Sequence, residues 1–129
     1  MSVIQFDILV PPQAADEVRA AFQRALDILV RRDKLTAGSV TMEPMRIDDS
    51  VTTQLRTTYE RNRGEPADDA IVHRLRAEVE GAASLNSLAM GLSRILTPKA
   101  DLPRDPVLLE QEERFEAPSI YPWVVEVFR

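Results

Sequence analysis

Ala67-Asp68-Asp69-Ala70-Ile71-Val72-His73-Arg74-Leu75-Arg76-Ala77-Glu78-Val79-Glu80 occupies the middle of the chain, between Pro66 and Gly81. At about 100° per residue, Ile71, Val72, Leu75 and Val79 fall within one arc, while Arg74, Arg76 and Glu80 face elsewhere. The spacing predicts a half-buried helix over 67–80, opened by Pro66 and ended by Gly81. On such a helix His73, the only histidine, lies opposite the apolar arc and points to solvent, which argues against catalysis there.

Working outward from this segment, Leu85, Leu88, Ala89, Leu92, Ile95 and Leu96 share one side of a helix over 84–97 that Pro98 stops. On the other side, Asp48, Asp49 and Ser50 offer N-caps for a helix over 50–63 with Val51, Leu55 and Tyr59 inward, closing near Gly64. Residues 39–47 read as a strand in which Pro44 implies an edge position, a bulge or an early end.

Further upstream, Val18, Ala21, Phe22, Ala25, Leu26 and Leu29 recur at three- and four-residue spacing. They predict a helix over 14–33, with Asp16 and Glu17 in its first turn and Arg31, Arg32 and Lys34 at its end. Ile4, Phe6, Ile8 and Val10 alternate with the residues between them, so 3–10 reads as a strand whose first face is core.

Prolines at 98, 103, 106, 118 and 122 favour an extended connection over 98–119, broken by one short helix started by Asp105 and Pro106. The final stretch, 120–128, reads as a strand buried on both sides, because Tyr121, Trp123, Val125 and Val127 alternate with Val124 and Phe128, Glu126 being the exception.

The order predicts an α+β or two-layer α/β fold, with about three strands packed against about four helices in a single domain over 1–129. A helix between the first two strands allows a parallel crossover, and the last strand can pair beside the first.

With 129 residues, 44% of them hydrophobic and 29% charged, the chain has a globular composition and is expected to bury roughly 65–70% of its unfolded surface. It has no cysteine, which removes disulfides, thiolate nucleophiles and cysteine-based metal sites. A net charge of −5 repels phosphate backbones and anionic lipid, so neither nucleic acid nor membrane is expected as a partner. The Arg31, Arg32, Lys34 cluster is explained by the helix dipole, and Arg56, Arg61 and Arg63 are diluted by Glu60 and Glu65. The start of the chain lacks a basic segment followed by an apolar run, and no stretch is long and apolar enough for a span, so a cytoplasmic location is expected.

Chemistry is sparsely signalled. Asp48-Asp49 and Asp68-Asp69 sit at expected helix starts, where capping accounts for them. The run Glu110, Glu112, Glu113, Glu116 lacks the ligand spacing and central glycine of a calcium loop. Four glycines, at 38, 64, 81 and 91, cannot form a glycine-rich phosphate cradle. No metal site and no cofactor is expected, and the absence of an available base disfavours a serine–histidine hydrolase. Carboxylate acid–base chemistry stays open. Asp7 and Glu126, enclosed together on adjacent strands, would repel one another and raise one carboxyl pKa.

Gly81 to Ser93 runs thirteen residues without a charge, so both sides of the 84–97 helix are expected to be covered. Its outer face carries Asn86, Ser87, Met90 and Ser93, and Tyr121, Trp123 and Phe128 place three of seven aromatics within eight residues. The reading that follows is a small interaction or accessory protein, more an interaction module than an enzyme. It is expected to form a homodimer or bind a protein partner, with Asn86, Met90, Ser93, Tyr121 and Trp123 at the interface. The alternative is a small-molecule-binding domain or cofactor-free enzyme whose pocket draws its polar groups from Asp7, Arg46, Tyr59 and Glu126.

Overall fold

The computed structural model describes residues 2–64, 66, 67, 69–97 and 121–129. Among them the order is β1 (Ser2–Val10), α1 (Pro12–Arg31), β2 (Ala37–Pro44), α2 (Asp49–Arg63), β3 (Ile71–Glu80), α3 (Leu85–Ser93) and β4 (Trp123–Phe128). The strands form one antiparallel sheet in the order β2-β3-β1-β4. The fold is α+β, with four strands and three helices among the described residues. With α2 set aside, this is the split β-α-β arrangement, in which each β-α-β unit leaves a gap that a strand of the other fills. β1 and β2 run in the same direction, but β3 lies between them and they do not pair.

The expected helix over 67–80 is corrected to β3. From His73 to Glu80 the residues also alternate with period two: His73, Leu75, Ala77 and Val79 are buried, while Arg74, Arg76, Glu78 and Glu80 are half-buried or exposed. Both periods fit the apolar positions, and pairing decides between them. β1 lines its other flank with β4, and only a strand at 71–80 satisfies the backbone groups it turns toward β2. His73 is therefore buried, not solvent-facing as a helix would have it.

One face of the sheet carries the main core. Ile4, Phe6 and Ile8 of β1 are fully buried, each contributing about 1.5–3 kcal/mol relative to exposure. α1 crosses this face with Val18, Phe22 and Leu26, and Phe22 packs edge-on to Phe6 at 5.2 Å between ring centroids. α1 starts at Pro12, before the expected Ala14, so Asp16 and Glu17 lie beyond its first turn. α3 packs beside it through Ala89, Leu92 and Leu96, its α-helical part ending at Ser93 rather than 97.

α2 lies against the opposite face, where Leu55 and Tyr59 meet Leu9, Val72, Ala67 and Ala70 in a second core. Its boundaries follow the sequence signals. Asp48 caps it by accepting from the Ser50 N–H at 2.8 Å, and Gly64 ends it in the left-handed region at φ 67°. Arg56 secures the turn into β3 by donating to the carbonyls of Ala67 (2.8 Å) and Ala70 (3.2 Å). Asp69 thus belongs to a turn before a strand, not to a helix start.

β2 ends at Pro44 as an edge strand, in keeping with its proline. β4 pairs with β1, as the sequence allows, but it is the other edge. Its expected two-sided burial is corrected: Val124 and Val125 are 40% exposed and Phe128 is 42% exposed. The expected connection over 98–119, its short helix and the acidic run at 110–116 lie outside the described residues. No helix among the described residues is long and apolar enough to cross a membrane.

Candidate interaction surfaces

The two edges of the sheet are treated differently. On β2 the side chain of Gln23, from α1, takes the place of a neighbouring strand. Its amide donates to the Gly38 carbonyl (3.3 Å) and accepts from the Val40 N–H (3.0 Å). Gly38 permits the approach, since a Cβ there would sit 3.2 Å from Leu26. Pro44 then closes the strand.

β4 has no comparable cover among the described residues. Leu9 donates to the Pro122 carbonyl at 2.9 Å, and Ile8 stands opposite Trp123. Hydrogen-bonded pairs alternate in an antiparallel ladder, so Val124, Glu126 and Phe128 turn their backbone groups toward β1. The N–H and C=O groups of Trp123, Val125 and Val127 consequently point outward from the sheet. Three of the six exposed large hydrophobic side chains among the described residues belong to this strand.

The interface candidates read from the sequence separate into groups. Asn86 and Met90 lie on the outer side of α3, with Met90 62% exposed, so within a single chain the uncharged helix is covered on one side. Ser93 is buried and its hydroxyl donates to the Met90 carbonyl at 2.6 Å. Trp123 is half-buried, edge-on to Phe6 at 5.6 Å, and its indole N–H donates to the Thr97 hydroxyl at 2.9 Å. Tyr121 packs against both cores, with the Arg63 guanidinium 5.3 Å from its ring and 5.2 Å from that of Tyr59. Between α1 and α3 an apolar groove of about 370 Å³ is lined by Ala25, Ile28, Leu29, Leu88, Gly91 and Leu92.

The four pocket candidates also occupy different places. Asp7 and Glu126 share the α2 side of the sheet on adjacent strands, but they are not directly opposite: Asp7 faces Val124, and Glu126 faces Gln5. Asp7 instead forms a two-pronged ion pair with Arg74, which replaces the carboxylate repulsion the sequence suggested. The hydrogen bonds that Arg74 donates to Asp7 hold it charged more firmly than an ordinary arginine, with smaller help from Glu126 and Glu43. Tyr59 is buried in the second core, and Arg46 is exposed on the connection after β2.

Sequence reasoning missed Gln23, Arg74 and His73. Gln23 carried a signal, a polar side chain beside the apolar stripe of α1, but nothing local showed which strand edge it would meet. Among the described residues no group of three or more histidine and acidic side chains is gathered as a metal site. Comparison with known proteins gives no family model, no curated protein and no solved structure that matches the chain.

Proposed function

We propose that this is a small cytoplasmic interaction protein that self-associates, with the edge of β4 that has no cover among the described residues as its contact between copies. The asymmetry of the two sheet edges carries the reading: β2 is occupied by Gln23 and ended by Pro44, whereas β4 offers outward backbone groups flanked by exposed Val124, Val125 and Phe128.

A second copy fits this edge. Two β4 strands pairing about a two-fold axis perpendicular to the sheet keep equivalent faces together, so opposed residue numbers have an even sum. Centring on Val125 sets Val125 against itself, Trp123 against Val127 and Val124 against Glu126, and matches the outward-pointing groups. Centring on Glu126 would oppose two carboxylates, which disfavours it. A contact of one short strand is small beside the roughly 800 Å² per partner of standard interfaces, so micromolar rather than nanomolar affinity is expected.

Sedimentation equilibrium over a concentration series tests the proposal, with Val125→Pro as the decisive variant. Proline there removes an outward N–H and leaves the β1 ladder intact. Wild type should dimerise and folded Val125→Pro should stay monomeric. A monomeric wild type, or an unaltered dimer in the variant, would overturn it.

A further inference from the structure

His73 lies on β3 between Ile8 of β1 and Pro44 of β2, beneath the first turns of α1. It is only 5% exposed. Its Nδ1 is 3.1 Å from the Ile71 carbonyl, an acceptor, so in the neutral ring Nδ1 carries the proton and Nε2 presents a lone pair. Nε2 has no hydrogen-bond partner among the described residues. No side-chain nitrogen or oxygen there is both fully buried and unpartnered, so Nε2 keeps accessible surface.

His73 also lines a cleft of about 260 Å³, together with Pro12, Ala15, Arg19, Met42, Pro44 and Asp16. Arg19 contacts Asp16 through Nε at 3.2 Å, leaving its two terminal nitrogens without a partner among the described residues. The cleft therefore combines an acceptor on His73, donors on Arg19, a charge-balanced ion pair and apolar walls. We infer that the cleft over His73 binds a small, largely apolar molecule bearing a hydroxyl group, of about the size of a phenol.

Size and polarity choose this class. The cleft falls below the roughly 300–1,000 Å³ of pockets for drug-sized ligands, which suits a single ring. A hydroxyl can donate to Nε2 and accept from Arg19 at once. A carboxylate would meet a lone pair on Nε2 and the negative charge of Asp16. The inference is independent of self-association, because neither the cleft nor its lining involves β4.

The test uses the full wild-type chain labelled with ¹⁵N and with ¹³C-methyl methionine. Long-range ¹H–¹⁵N spectra of the free protein should show His73 in the Nδ1–H tautomer. Phenol at millimolar concentration should shift His73 Nε2 and the Met42 methyl group with a common saturation curve. Anisole, in which a methyl group replaces the hydroxyl proton and removes the donor, should bind at least about tenfold more weakly. An Nε2–H tautomer in the free protein, no shift with phenol, or equal binding of phenol and anisole would each overturn the inference.

Discussion

The Arg74 guanidinium grips the Asp7 carboxylate across directly opposed positions of β3 and β1, Nε to Oδ1 at 2.9 Å and Nη2 to Oδ2 at 3.2 Å. The side chains are 27% and 12% exposed, so the pair is shielded yet close to solvent. Asp7→Ala should lower stability by about 1.5–3 kcal/mol in urea denaturation, because it strands a partly buried guanidinium. Asp7→Ala with Arg74→Met should cost less than the sum of the two single changes. Arg74 has a raised pKa in the folded protein, so its contribution is complete below the ordinary arginine value and is lost only as pH rises through the folded one. Stability from this cation should be flat through neutral and mildly alkaline pH.

Asp48 supplies an acid-side counterpart. Its hydrogen bonds with the Ser50 hydroxyl and N–H hold its pKa below the usual carboxylate value. A depressed carboxylate stabilises the fold above its unfolded pKa, and that contribution fades as pH falls through the folded one. Asp48→Asn keeps a capping oxygen without the charge. Thermal melts from pH 7 down to strongly acid solution should therefore show a smaller acid-induced drop in melting temperature for Asp48→Asn than for wild type.

Glycine positions with positive φ should differ in cost. At Gly81, φ is 84° and an added Cβ would lie 2.9 Å from the Thr36 backbone nitrogen; at Gly64, φ is 67° and the space is open. Gly81→Ala should destabilise by about 2–3 kcal/mol and Gly64→Ala by about 1 kcal/mol, measured by urea denaturation.

Gln23→Ala removes the cover of β2. Loss of its two hydrogen bonds to β2 should cost about 1–2 kcal/mol. Under the proposed self-association the variant should also form species larger than a dimer, visible by light scattering, because β2 then presents unpaired backbone groups as well. Stability equal to wild type would mean that Gln23 does not close this edge.

Met90→Asp separates the helix face from the strand edge. The side chain is 62% exposed, so stability should change by less than about 0.5 kcal/mol. If copies meet through β4, the dimerisation constant in sedimentation should be unaltered, whereas a helix-face interface would lose affinity.

What the sequence determined by itself was local. The alternation of Ile4, Phe6, Ile8 and Val10, the spacing of Val18, Phe22 and Leu26, the Asp48 cap and the Gly64 stop each act within a few residues. Such signals are written in neighbouring side chains and backbone angles, and they place β1, α1 and α2 nearly where they are found. The tertiary structure decided the rest. Residues 71–80 satisfy a helical and a strand period together, and only the unfilled position between β1 and β2 makes them a strand. That choice turns His73 inward and brings Arg74 to Asp7, 67 residues away along the chain. Among the described residues β4 stands at the end of the sheet, and Val124, Val125 and Phe128 are exposed in a stretch that reads as doubly buried. Strand pairing joins distant segments through backbone groups that every residue carries, so side-chain identity alone leaves the partner of each strand undetermined.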